Sequence, residues 1–334
     1  MNALVTGGTG FIGRRLVRQL VAQHGSSSVV CLVKAPATPL ERDALQTFRA
    51  QGLRLIEGDL VVNPVSTEAA PSVDVVFHLA ANIDTDAPEE ALLVNHRGTA
   101  RLLDWIAPVS RGARIVYASS VAVHDRVAEP SEPIAENSPL TPRTAYGRTK
   151  LQGEVILRDR ASVDGYSWTV LRLPTVYGPG QKPDGLFDQL IKKARSGSWL
   201  GRLDWPGRTS IIHVDDVAAA MIELAGRSEA AGEVYCLASD ESLTVGELAR
   251  SIGVSVGHPV RPIRIPTLPL GLVRGVVWNR AIQAAVPAFG RLAFWRLSLI
   301  VSDGFWFDTR KFRRIYTKPL KDIDEGMRSL KSEV

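Results

Sequence analysis

In the stretch TAYGRTKL, residues 144 to 151, Tyr146 stands four positions before Lys150. On a helix that spacing puts both side chains on one face, about a turn apart. A lysine ammonium beside a phenol favours the phenolate. At an effective dielectric near 20, a charge about 5 Å away contributes about 3 kcal/mol, or roughly two pK units from a reference near 10, before desolvation opposes it. Such a shift carries tyrosine toward the range in which it exchanges a proton with an alcohol or carbonyl oxygen. The same pair as a solvated surface contact would do no chemistry, so what lies beside it must decide.

Two serines and a glycine-rich loop are the candidates for that neighbourhood. ARIVYASS (113 to 120) reads as a strand, which puts Ser119 and Ser120 at its C-terminal end. That edge of a parallel sheet is where such folds bind ligands. A serine there can hydrogen-bond a substrate oxygen while a tyrosine moves the proton, or it can cap the next element. VTGGTGFIGRRLV sets Gly7, Gly10 and Gly13 at three-residue spacing between the first strand and the first helix. Glycines in that context permit a tight turn and close backbone approach, so that N–H groups at the helix N-terminus, around Phe11 and Ile12, can face a pyrophosphate. The second strand ends CLVKAP, with Val33 where dinucleotide folds place a carboxylate for the adenosine ribose, followed by Lys34. An ammonium attracts a 2′-phosphate that a carboxylate would repel, which favours NADP(H), with NAD(H) the second choice. Arg14, just past the last glycine, can reach the same phosphate. Asp59, followed by Leu60 at the end of the third strand, can accept from the adenine amino group, or it can simply form a turn.

The elements that would position these residues alternate. Apolar runs at 3–7, 28–33, 53–59, 73–80, 113–120 and 167–173 are separated by segments of helical period, the pattern of a doubly wound parallel sheet with crossover helices in an α/β fold. The runs are almost continuously hydrophobic, as strands covered on both faces are. After LRLPTVYGPGQKPDG the pattern breaks, with a helix near 186–196, then returns at 210–225 and 233–238. This predicts a dinucleotide-binding domain of residues 1–174 and 208–240, and a substrate-binding lobe of residues 175–207 and 241–334.

TGGTGFIG, GDL, VFHLAA, NHRGT, YASS, YGRTK, LRLPTVYGPG and HVDDVA follow one another over residues 2 to 240. In that order they resemble an extended short-chain dehydrogenase/reductase of the NAD(P)-dependent epimerase/dehydratase group, with its Rossmann domain. The resemblance implies that Tyr146 is the general acid/base, that Lys150 binds the nicotinamide ribose and tunes the tyrosine, and that Ser120 orients the substrate. Because AVHD replaces the family's usual tail after the serines, Ser119 stays a second candidate. The resemblance puts Asn95 in a supporting position, Ala80 and Ala81 against the phosphate and ribose, and Pro174 near the carboxamide. His78, His213 and the Asp215–Asp216 pair read as scaffold, Asp215 as a helix cap. A homodimer through helices of the sheet domain is also implied.

Within that family the chemistry varies. Val121 and Ala122 stand where dehydratases carry acidic residues, and Thr175 where epimerases carry asparagine. Arg208 can still meet a phosphate. The favoured reading is a reductase or dehydrogenase interconverting a secondary alcohol and a ketone on a hydrophobic small molecule. The aromatics Trp278, Phe289, Phe294, Trp295, Phe305, Trp306 and Phe307 would either wall its pocket or fill the lobe's core. A sugar-nucleotide epimerase with tightly bound NAD is the alternative, and a non-catalytic NAD(P)-binding regulator the third. Forty basic residues against 35 acidic ones, a net charge of +5 in 334 residues without a basic block, argue against a nucleic-acid partner. Cys31 and Cys236 are too isolated for a zinc or redox motif and suit a reducing compartment. Without a basic leader before ALVTGG, a cytoplasmic location is expected. The apolar stretch 265–307 is broken by arginines and too short between them to span a bilayer, but residues 265–300 suit peripheral membrane contact.

Overall fold

Short, largely buried runs rich in apolar residues build the central sheet. The computed structural model describes every residue except 86, 125–131, 182–185, 260, 287–296, 298, 299, 303–305 and 332–334. Its large sheet comprises β1 (Ala3–Thr6), β2 (Val29–Val33), β3 (Arg54–Glu57), β4 (Val75–His78), β5 (Arg114–Ser120), β6 (Ser167–Leu173) and β9 (Glu233–Cys236). All pair in parallel, in the order β3-β2-β1-β4-β5-β6-β9. The first six match the apolar runs, with the doubly wound α/β architecture those runs predict.

Two cores lie on opposite faces. On one, Leu16, Val17 and Leu20 of α1 (Phe11–His24), Ala44 and Phe48 of α2 (Pro39–Ala50), and Val217 and Met221 of α6 (Val214–Ala225) cover Val5, Cys31 and Phe77. On the other, Leu102 and Ile106 of α3 (Arg97–Ile106) and Leu157 of α4 (Ala145–Asp164) cover Leu4, Val76 and Ile115. Both cysteines are free and buried, and burial pushes the Cys31 thiol up to about 12.

The smaller lobe has its own mixed sheet, β10 (Ser242–Thr244), β8 (Arg208–His213) and β7 (Thr175–Tyr177). Around it lie α5 (Leu186–Arg195), α7 (Val245–Ser255), α8 (Thr267–Val277), α9 (Arg280–Ala285), α10 (Arg310–Ile315) and α11 (Ile323–Lys331). Residues 208–213, expected in the dinucleotide-binding domain, pair instead with β7 and β10, Thr175 opposite Ile211 and Ser242 opposite Ser210. The place beside β6 is taken by β9, Thr169 opposite Glu233, so the chain rejoins the large sheet through α6 and β9. Of the seven aromatics named above, Phe289, Phe294, Trp295 and Phe305 lie outside the described residues. Phe307 is buried with Ile134, Cys236 and Ala238, and Trp278 donates from Nε1 to Ser302 Oγ at 2.8 Å, so both serve packing.

Candidate active site

β1 and β4 are neighbours in the sheet but not in sequence, and at such a switch point an open parallel sheet leaves a crevice beyond its strand ends. Here the crevice is a cleft of about 340 Å³ lined by Gly7, Gly10, Phe11, Ile12 and Gly13 on one side and by Ser120, Tyr146, Lys150 and Pro174 on the other. Gly7 turns the chain with φ +69°, and a Cβ on it would lie 2.7 Å from the Ala80 nitrogen. A Cβ on Gly13 would run into the Gly7 carbonyl. No side chain caps the first turn of α1, so its N–H groups are open to an anion. A cradle without side chains at the mouth of an uncapped helix fits a pyrophosphate. Ala81 lines the same cleft, and the Ala80 amide donates to Thr6 Oγ1 at 3.3 Å.

The opposite wall is set by the start of α4. Thr144 Oγ1 accepts from the Gly147 amide at 2.9 Å, fixing the first turn. Gly147, where a Cβ would collide with the Ala122 carbonyl, lets that turn press on the end of β5. Ser120 Oγ accepts from the Ala122 amide at 3.2 Å, and the Ser120 side chain draws the Tyr146 phenol down against its burial. Ser119 points elsewhere, donating to buried Glu154 Oε1 at 2.6 Å. The two serines are thus separated by partner, and Ser120 is the one that meets the phenol.

Lys150 is buried, its Nζ 4.2 Å from the centre of the Tyr117 ring. Burial draws its pKa down to about 7, against the Glu154 charge, which raises it. Burial also pushes Tyr146 up, with the Ser120 hydrogen bond opposing. The attraction of the neighbouring ammonium expected from the spacing is not among the causes of the phenol's shift, whose direction burial sets.

Asn95 is fully buried. Its Nδ2 donates to the Asn82 carbonyl at 3.0 Å and to Thr149 Oγ1 at 3.1 Å, and its Oδ1 accepts from the Asn82 amide at 2.9 Å. It ties α4 to the segment after β4 that carries Ala80 and Ala81. The adenosine-side candidates are not among the residues lining the cleft. Lys34 is exposed just past β2. Arg14 Nη2 donates to the Gly180 carbonyl at 3.1 Å. Asp59 Oδ1 accepts from the Val61 amide at 2.7 Å, as a turn-forming aspartate does, and Leu60 is buried against Gly98. Arg208 donates to Ser242 Oγ at 3.0 Å.

His78 and His213 both hydrogen-bond within the fold. His78 bridges Thr6 Oγ1 (2.7 Å) and Thr99 Oγ1 (3.0 Å), and burial lowers its pKa to about 3. His213, not Asp215, caps α6, its Nδ1 accepting from the Asp215 amide at 3.2 Å. The Asp215 carboxylate accepts instead from Lys321 Nζ at 2.8 Å. Among the described residues no group of His, Cys, Asp or Glu could hold a metal ion.

Sequence reasoning passed over Glu154 and Arg172. Arg172 grips Glu154 with two hydrogen bonds, Nε to Oε1 at 3.0 Å and Nη2 to Oε2 at 2.8 Å, both side chains being buried. Its Nη1 reaches His124 Nε2 at 3.0 Å and the Glu136 carbonyl at 2.9 Å. Burial pushes Glu154 up, but hydrogen bonds and charge from Arg172, then Ser119 and Arg158, outweigh it and leave its pKa lowered. The signal was an arginine within the buried strand SWTVLRL, which demands a partner, and a glutamate four positions after Lys150 on the same helix.

The family model for the NAD dependent epimerase/dehydratase family matches residues 3–238. Among curated relatives, a UDP-glucose 4-epimerase of Mycolicibacterium smegmatis is 29% identical over 78% of this chain and 85% of its own. A 2-alkyl-3-oxoalkanoate reductase of Stenotrophomonas maltophilia is 26% identical over 99% of both. An uncharacterised protein of Sinorhizobium fredii is 30% identical over 81% of this chain, which spans only 63% of that protein's length. Among solved structures, the UDP-glucuronic acid 4-epimerase of Bacillus cereus in complex with UDP-glucuronic acid and NAD superposes with a TM-score of 0.75 at 20% identity, covering 100% of both chains.

Proposed function

Because the chain belongs to the NAD-dependent epimerase/dehydratase family, we propose that it is a reductase or dehydrogenase interconverting a secondary alcohol and a ketone on a hydrophobic small molecule, with NADP(H) preferred. The observation that carries the reading is that Ser120, Tyr146 and Lys150 line one cleft with the glycine cradle. When bound, the nicotinamide supplies or accepts a hydride. The chain's own work is to hold the substrate oxygen and move its proton. Tyr146, protonated at neutral pH with its raised pKa, donates to the carbonyl oxygen in the reducing direction and takes the proton back in the other. Ser120 holds the same oxygen. Lys150, its pKa drawn down by burial, gains a further acceptor when a ribose hydroxyl lies against it. Asn95 positions α4 through Thr149.

Supporting an apolar substrate, the cleft is lined by Leu79, Ile83, Leu173, Val176, Leu186 and Phe187. The reductase relative covers nearly the whole chain. Lys34, exposed past Val33, supports the cofactor preference. Arg14, engaged by Gly180, adds nothing to it. The epimerase relative from Mycolicibacterium smegmatis favours a second reading, a sugar-nucleotide epimerase retaining NAD.

The test is to follow NADPH and NADH oxidation with a panel of apolar ketones, beside epimerisation of UDP-sugars. NADPH consumption is expected with at least one ketone, and Tyr146→Phe is expected to reduce it by about 10²- to 10⁴-fold. Epimerisation without net nicotinamide turnover would replace the proposal by the second reading. Silence in both assays with tight cofactor binding would leave a non-catalytic binder.

A further inference from the structure

Helix α8 carries its apolar side outward. Leu268 and Leu272, one turn apart, are 79% and 69% exposed, and Val273 and Val276 beside them are exposed as well. At Gly271 and Gly275 no heavy atom lies within 4 Å of where a side chain would begin. A contiguous aliphatic strip of this kind marks a surface that meets something.

Charge indicates what that is. From residue 248 to residue 302 the chain holds seven arginines, the first Arg250 and the last Arg296, and no aspartate or glutamate. Arg261, Arg264 and Arg280, which flank α8, are exposed. A second copy docked through the same strip would bring like charges together with no acidic side chain from that segment to answer them. A layer of anionic headgroups neutralises the arginines while the acyl boundary receives the leucines and valines. At eleven residues the helix is about 16 Å long, suited to lying in the interface. No helix among the described residues is long and apolar enough to cross a membrane.

We propose that the outer face of α8 docks on a membrane surface rich in anionic phospholipid. On the side away from that face, Gln283 of α9 donates from Nε2 to the carbonyl of buried Val277 at the end of α8, at 2.7 Å. Its Oε1 accepts from Arg143, just before α4, so the inner side of the helix is held to the rest of the molecule and the outer side is left to the lipid. The docking does not depend on the reductase reading.

The experiment is co-sedimentation of the full chain with vesicles of phosphatidylcholine alone or of phosphatidylcholine mixed with phosphatidylglycerol, which needs no turnover. Binding is expected to the mixed vesicles only, and to be lost in about 1 M salt, where charges are screened beyond about 3 Å. Leu272→Glu, and separately Leu268→Glu, is expected to weaken binding by about tenfold or more, the scale of one leucine transfer. Unfolding midpoint and nicotinamide binding should stay unchanged at these exposed positions. Failure to bind either vesicle overturns the proposal, as does binding that both variants retain. A dimer in solution that Leu272→Glu dissociates, without vesicle binding, would assign the strip to a second copy and overturn it too.

Discussion

Glu154 touches the candidate site through two routes that a chain trace would not show. It accepts from Ser119, the neighbour of Ser120, and its charge opposes the desolvation of Lys150. Removing that charge should lower the lysine's pKa below its present value of about 7. If the ammonium is the active form, kcat/KM falls as pH rises through that pKa, since kcat/KM reports groups of the free enzyme. In Glu154→Gln the fall is expected at lower pH than in the wild type. An unmoved profile would show that the carboxylate acts only on folding. The same variant leaves Arg172 buried without its counter-charge, so a loss of about 3–5 kcal/mol in stability is expected alongside, read from denaturant midpoints.

At the scale of elements, α4 performs its task by lying unusually close to its neighbours. Gly147 admits the Ala122 carbonyl, and Gly153 faces the Tyr117 hydroxyl and the Asn95 carbonyl, where an added Cβ would collide with the first and lie 2.7 Å from the second. Tyr117 is the ring on which Lys150 rests, and its hydroxyl donates to the Asn95 carbonyl at 3.3 Å. Gly153→Ala must therefore displace the support of Lys150. A cost of about 1–3 kcal/mol is expected from overpacking, with a fall in kcat at temperatures where the variant remains folded. Calorimetry and steady-state rates check both. Were the variant as stable and as active as wild type, the close approach would have no role in placing the lysine.

Over the whole molecule, the C-terminal segment fastens the small lobe to the helix α6 that covers the large sheet. The Lys321 amide donates to Asp216 Oδ2 at 2.9 Å, and Met327 of α11 packs in one core with Tyr177 and Phe187. Asp216 bears a cost for this. Burial raises its pKa to about 6 from 3.8, despite Lys321. Between those values the folded chain holds a proton that the unfolded chain has released, so stability falls as pH rises through the interval. Asp216→Asn keeps the acceptor for the Lys321 amide and removes the charge. Its melting temperature relative to wild type is expected to rise as pH climbs from about 4 past about 6 and then level off. A gap independent of pH would show that Asp216 titrates normally.

The sequence alone determined the parallel sheet, because strands covered on both faces read as runs dominated by apolar residues, and β1, β2 and β4 to β6 do. It also determined the glycine cradle and the shared helix face of Tyr146 and Lys150, since both follow from local spacing. It did not determine which serine meets the phenol, for Ser119 and Ser120 are adjacent and alternate across a strand whose faces only the packed sheet defines. Nor did it determine that β8 pairs in the small sheet, a choice among strand partners far apart in the chain. The direction of the Tyr146 and Lys150 shifts was likewise left to the tertiary structure. Their nearness can be read from the spacing, but the desolvation that sets the direction of each shift depends on every atom that closes over the pair.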